Sequence, residues 1–201
     1  MAKFWDRKEK PFVLVVFLLP LAWMVYSLFT GRYFPDPAEP LMTLSGVWAC
    51  VAMVGVLLIT PMVKNTQFKF LNRYRRFVGL SAFFYALLHL LIYLVFHAGL
   101  SWQWIIQDVL QRPYIYIGLF AFVILLLLAM TSTKKMMKRL GVNWKKLHQY
   151  VYFAGLAIVA HLWWQVKSDI TIALWVSAFL APLLLMRIKQ FPLFKNFFTK
   201  S

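Results

Sequence analysis

Six long apolar runs, with charge confined to the gaps between them, dictate what this chain can fold into. The runs cover residues 12–30, 44–63, 77–97, 114–131, 148–166 and 170–187. A bilayer core is about 30 Å thick and takes about 20 predominantly apolar residues per helical crossing, so each run approaches the length of one span. Backbone groups in hydrocarbon must be hydrogen-bonded within the protein, which leaves helices or a closed barrel. The runs are too long and too unalternating for barrel strands, which predicts an all-α integral membrane protein, a six-transmembrane-helix bundle. Only 14% of the 201 residues are charged, against about 25% in soluble domains.

The same arrangement excludes other classes. A net charge of +16 spread over a soluble surface would point to nucleic acid. Here the cations flank apolar runs, so the implied surface is the lipid bilayer and no nucleic-acid partner is expected. The one cysteine, Cys50, lies inside an apolar run and can build neither a disulfide framework nor a cysteine metal site. The basic N-terminal stretch and first run resemble a signal peptide, but no small-residue cleavage pattern follows between Ser27 and Gly31, so the run is expected to persist as a first span. The loops are short. Residues 1–201 therefore read as a single transmembrane domain whose chemistry lies within the bundle.

Cations near span ends are retained on the cytoplasmic side. Lys3, Arg7, Lys8 and Lys10 precede the first run; Lys64, Lys69, Arg73, Arg75 and Arg76 join the second to the third. Lys134, Lys135, Lys138, Arg139, Lys145 and Lys146 join the fourth to the fifth, and Arg187, Lys189, Lys195 and Lys200 follow the sixth. All of these fall on one side. The other side keeps only Arg32, Arg112 and Lys167, with the acids Asp36, Glu39, Asp108 and Asp169. Both termini are thus expected in the cytoplasm, with the acidic loops 31–43 and 98–113 on the outer side, where a partner could dock. The segment after run four opens with Thr131-Ser132-Thr133, good N-cap residues, and reaches Gly141, a plausible stop, which predicts a short basic surface helix.

No Asp, Glu, Lys or Arg lies well inside a run, so histidine is the only ionisable type left there: His89, His97, His148 and His161. An intramembrane imidazole is costly unless hydrogen-bonded or ligated. Runs three and five are parallel, with His89 about twelve and His161 about thirteen residues in, so both should lie about 18–20 Å from the cytoplasmic ends at 1.5 Å per residue. Two level imidazoles on different helices are what bis-histidine haem ligation requires. Zinc would want three or four ligands with Cys or carboxylates among them. Phe83, Phe84, Tyr85, Trp163 and Trp164 suit a greasy macrocycle but are equally ordinary on lipid-facing helices.

His148 stands at the cytoplasmic mouth of run five and could ligate a second, inner haem. Thirteen steps along an ideal helix leave its side chain about 140° from that of His161, so a continuous helix does not put them on one face. Local bending, service to two sides of the helix or a merely interfacial His148 would each resolve this. The matching height on run three carries Arg75 and Arg76, which could pair with haem propionates or simply obey the positive-inside rule. His97, at the outer end of run three, is a weaker ligand candidate.

At these residues the chain resembles the ferric reductase-like transmembrane superfamily and, within it, the MsrQ family of haem-binding membrane subunits. The matching runs are Leu58-Ile59-Thr60-Pro61, Arg75-Arg76 with Gly79-Leu80, Leu88-His89-Leu90, Arg112-Pro113-Tyr114, Thr131-Ser132-Thr133, Leu140-Gly141, Trp144, Leu147-His148, Val151-Tyr152 and His161. The resemblance implies haem b held by His89, His148 and His161, and FMN, for which nothing in the residues marks a site. It also implies a donor, the quinone pool or a cytoplasmic flavin reductase, and an acceptor, the periplasmic molybdenum-containing subunit MsrP, which repairs oxidised methionines in envelope proteins. The location implied is the bacterial inner membrane. The chain departs from the family pattern at Thr43-Leu44-Ser45-Gly46, where many members carry H-x-T-G, and it has one deep histidine on run three where the superfamily's two-haem pattern has two. Two rival readings remain: a b-type cytochrome of the same superfamily with another acceptor, and a transporter or scaffold whose histidines only hydrogen-bond between helices.

Overall fold

The computed structural model describes residues 10–166 and 169–188, and every regular element in them is helical. Lys3, Arg7, Lys8, Lys167, Lys189, Lys195 and Lys200, which weigh in the orientation argument, lie outside the described residues. The elements are α1 (Lys10–Phe29), α2 (Ala38–Asn65), α3 (Arg75–Ile92), α4 (Trp102–Gln111), α5 (Pro113–Met130), α6 (Lys134–Leu140), α7 (Val142–His148), α8 (Val151–Gln165) and α9 (Thr171–Ile188). A 3₁₀ turn, Lys69–Arg73, leads into α3, and a π-helical turn, Tyr93–His97, extends its far end.

Three of these are long and apolar enough to cross a membrane: Ala38–Asn65, Arg75–His97 and Pro113–Met130. Two more apolar helices, Val13–Phe29 and Thr171–Arg187, are shorter, and α8 has 15 residues, about 22 Å at 1.5 Å per residue. Helices α1, α2 and α9 run unbroken through Pro20, Pro61 and Pro182, which membrane helices tolerate.

Helix packing closes a ring: α2 against α3, α3 against α5, α5 against α8, α8 against α9, and α9 back against α2, with α1 outside on α2. Lipid offers no hydrophobic driving force between helices, so close approach and van der Waals contact have to hold the ring. Small residues supply it. A Cβ on Gly55 would stand 3.3 Å from Val78, and Ala52, Ala82 and Ala154 are buried. The large apolar side chains Phe120, Leu127, Trp175 and Leu185 point outward, toward the hydrocarbon a span would meet.

The ring has two chemically different ends. At one lie the start of α2, the end of α3, the start of α5, the end of α8, and α4; this is the α4 end. At the other lie the start of α3, the end of α5, the start of α8, and the basic pair α6–α7. Between them the interior is filled by Met53, Leu57, Ile124, Leu125, Leu128, Leu180 and Leu184, with Phe83 and Ala86 packed against these.

The segment after α5 forms as its residues predict. Thr133 caps α6, its hydroxyl accepting from the Met136 N–H at 3.2 Å. Gly141 then takes φ +52°, a left-handed value glycine adopts without the Cβ penalty, and α7 follows. The sequence does not announce α7. Its last residue is His148, and Gln149–Tyr150 separate it from α8. His148 and His161 therefore do not share one helix, and the 140° computed for a continuous helix does not apply.

The other departure is α4, inside what reads as an acidic loop at 98–113. Ser101 caps it, accepting from the Trp104 N–H at 3.5 Å. Trp102, Trp104, Ile106 and Leu110 are exposed, as suits a helix lying at a membrane surface, where tryptophan concentrates.

Candidate functional site

Helix α3 carries His89 at its α4 end and α8 carries His161 at the same end, from helices that run in parallel. α3 and α8 are not packed along one another; α5 separates them on one side of the ring, α2 and α9 on the other. The two imidazoles thus stand at the same end of the ring, on helices that are not neighbours in it.

Each ring is held in the same way. His89 Nδ1 lies 2.9 Å from the Met42 carbonyl of α2, and His161 Nδ1 lies 2.8 Å from the Tyr114 carbonyl of α5. A carbonyl only accepts, so in both rings Nδ1 carries the proton and donates. That assigns the lone pair to Nε2, which in both rings has no protein hydrogen bond among the described residues. Metal-ligating histidines characteristically donate their other ring N–H to a carbonyl or carboxylate in this way. Ser45 Oγ stands 3.4 Å from His89 Nδ1, while its own hydroxyl donates to the Leu41 carbonyl at 2.8 Å.

Two glycines make room for the rings. A Cβ on Gly46 would come within 3.3 Å of His89 Nδ1, and one on Gly118 within 2.9 Å of His161 Cε1 and Nδ1. Both imidazoles are thus seated against bare backbone. The sequence reading names Ser45 and Gly46 only where the chain departs from the family pattern, and does not name Gly118. The available signal was a small residue interrupting a bulky apolar run, in Thr43-Leu44-Ser45-Gly46 and in Tyr116-Ile117-Gly118-Leu119-Phe120.

The other candidates fall elsewhere. His148 is 3.1 Å from the carbonyl of Trp144, four residues back on its own helix, and its Nε2 faces Ser132 Oγ at 3.5 Å. The Trp144 indole stacks over it with ring centres 3.9 Å apart. Arg75 lies within electrostatic reach of His148. Arg75 and Arg76 are exposed in the first turn of α3, about 20 Å from His89 along the axis; cations there oppose the helix dipole, at a cost of about 0.3–1 kcal/mol each. His97 sits 3.7 Å from Asp108, away from the other histidines. Phe84, Trp163 and Trp164 are exposed and face outward, and the Tyr85 hydroxyl donates to the Phe17 carbonyl of α1, so these aromatics do not line the space between His89 and His161.

Three of the four acids at the α4 end are also committed. Asp36 accepts from the Ala38 N–H at 2.9 Å where α2 begins, and Asp169 from the Thr171 N–H at 2.8 Å where α9 begins. Asp108 is ion-paired to Arg112, Nε to Oδ1 2.9 Å.

The bundle thus presents at one end two imidazoles, each with a protonated Nδ1 fixed by a neighbouring helix and an Nε2 unengaged among the described residues. Residues 45–159, which include His89 and His148, match the family described as ferric reductase like transmembrane component. The chain is 39% identical over 166 residues to the protein-methionine-sulfoxide reductase heme-binding subunit MsrQ of Xanthomonas axonopodis pv. citri, covering 83% of this chain and 76% of that one. It is 35% identical to the MsrQ of Pectobacterium atrosepticum, covering 86% and 87%, and 41% identical to that of Xanthomonas campestris pv. campestris, covering 76% and 70%. No solved structure matches it. The chain belongs to the ferric reductase-like transmembrane family and, within it, to the MsrQ family.

Proposed function

We propose that the chain is the haem b-carrying membrane subunit of a protein-methionine-sulfoxide reductase system, passing electrons to a periplasmic partner of the MsrP kind. The observation that carries this reading is the matched pair of Nδ1-to-carbonyl hydrogen bonds, His89 to Met42 and His161 to Tyr114. Bound between them, haem would supply reversible one-electron chemistry at iron. The donor set fits that group: two neutral imidazoles from facing helices, with no cluster of three or more His, Cys, Asp or Glu among the described residues to favour a bare metal ion.

The residues divide the work. His89 and His161 would hold the haem iron. The Met42 and Tyr114 carbonyls keep the Nδ1 protons in place, turn Nε2 toward the site and raise its basicity. The apolar ring excludes water. The methionine sulfoxide chemistry itself belongs to the partner subunit, in keeping with the relatives' name of heme-binding subunit.

The finer reading keeps six spans across a bacterial inner membrane, residues 1–201 as one domain, both termini cytoplasmic and the α4 end periplasmic. It is supported by the six apolar runs and by the concentration of cations at the α6–α7 end. The donor is the quinone pool or a cytoplasmic flavin reductase; FMN rests on family resemblance. His148 is the candidate ligand of an inner haem, with Arg75 and Arg76 toward its propionates. The test is the absorbance spectrum of the detergent-purified protein, oxidised and dithionite-reduced, with haem counted per polypeptide. Sharp reduced bands of six-coordinate b haem that vanish in His89→Ala support the reading; a colourless parent protein expressed with ample haem sinks it.

A further inference from the structure

One polar cluster at the α4 end links the helix that carries His89 to Tyr114, whose carbonyl holds His161, and its two charged members, Asp108 and Arg112, have no part in the reading so far. Tyr93 follows His89 by four residues, on the same face of its helix. Its hydroxyl donates to Asp108 Oδ2 at 3.1 Å. The other oxygen of Asp108 takes Arg112 Nε at 2.9 Å, and Arg112 Nη1 donates to the Tyr114 hydroxyl at 3.3 Å. Tyr114 in turn supplies the carbonyl for His161 Nδ1 and sets its ring edge-on to that imidazole, centres 5.9 Å apart. The π-helical turn Tyr93–His97 brings His97 to the same carboxylate at 3.7 Å, stacked on Tyr93. Asp108 is only 17% exposed.

We infer that the Asp108–Arg112 pair is a charge-neutral positioning unit for the haem of the α4 end, setting both the Tyr114 acceptor of His161 and the local electrostatic field that fixes the reduction potential. This rests on the reading that His89 and His161 hold haem. Asp108 and Arg112 do not touch the iron's ligands; they act through Tyr93 and Tyr114. Reduction lowers the charge of the haem by one. A nearby cation without its counter-ion therefore favours the reduced state, and a nearby unpaired carboxylate favours the oxidised one, with little screening where water is scarce. Breaking the pair from its two sides should shift the potential in opposite directions, which a merely structural contact would not do.

The experiment is a redox titration at pH 8 of detergent-purified full-length parent, Asp108→Asn, Arg112→Gln, the double variant and Asp108→Glu, with haem content measured on each. The expected result is an upward shift of the midpoint potential in Asp108→Asn and a downward shift in Arg112→Gln. Asp108→Glu and the double variant should return toward the parent value. Unchanged potentials, or shifts of the same sign in both single variants, overturn the inference while leaving the haem assignment standing. If a single variant loses its haem, the double variant decides: haem and potential near the parent support the charge pair, and loss there too overturns it. A parent that binds no haem fails the underlying reading instead.

Discussion

The two ends of the ring use the same side chain in two different ways. At the α4 end, His89 and His161 donate Nδ1–H to carbonyls of other helices and lean on glycines, with Nε2 unengaged. At the α6–α7 end, His148 bonds back to its own helix, has Ser132 beside Nε2 and carries an indole across its face. The two ends thus differ in the source of the Nδ1 acceptor: a neighbouring helix supplies it for His89 and His161, and the preceding turn of its own helix supplies it for His148.

The largest expected effect breaks the comparison outright. His89→Ala or His161→Ala should each remove the six-coordinate haem spectrum, because one imidazole cannot supply both axial positions. His148→Ala should keep that spectrum and at least half of the parent's haem per polypeptide. Absorbance and haem quantification on the three purified variants check this; loss of all haem from His148→Ala would erase the distinction between the ends.

The next effect probes the seat and not the ligand. A Cβ at Gly118 would stand 2.9 Å from the His161 ring, closer than real contacts allow, and that ring is already fixed by the Tyr114 carbonyl. Overpacking of this kind costs about 1–3 kcal/mol, which is about a 5- to 150-fold loss of affinity. Gly118→Ala should accordingly shed haem during purification or in competition with apomyoglobin, and haem transfer at the parent's rate would show that the ring can give way. Gly46→Ala meets His89 at 3.3 Å, a contact relieved by a few tenths of an ångström, so its effect should be about fivefold or less.

Much of this contrast is legible in the sequence, and what is not has physical causes. Counting 1.5 Å per residue brings His89 and His161 to one end because apolar runs leave little freedom in helix length. The same counting fails for His148, since the break at Gln149–Tyr150 carries neither glycine nor proline to mark it. The carbonyls of Met42 and Tyr114 are invisible in principle: every residue has one, and only packing decides which faces an imidazole. Asp36, Asp108 and Asp169 read as a docking charge when taken as loop residues, yet two of them sit at the starts of α2 and α9 and the third is paired to Arg112. Net charge by side is readable from sequence; the local partner of each charge is not.

The smallest expected effect sharpens the comparison at its finest grain. Ser45 Oγ is 3.4 Å from His89 Nδ1, but its proton is committed to the Leu41 carbonyl at 2.8 Å, and the Met42 carbonyl is the nearer acceptor for the imidazole at 2.9 Å. Ser45 is thus a secondary acceptor, and Ser45→Ala removes a long, shared contact while the main one stays. Such a contact is worth at most about 0.5 kcal/mol, so haem content should match the parent's and the midpoint potential should move less than in either Asp108→Asn or Arg112→Gln. A larger shift in Ser45→Ala than in those two would mean that His89 is oriented from its serine side, and that the cross-helix carbonyl is not what separates the two ends of the ring.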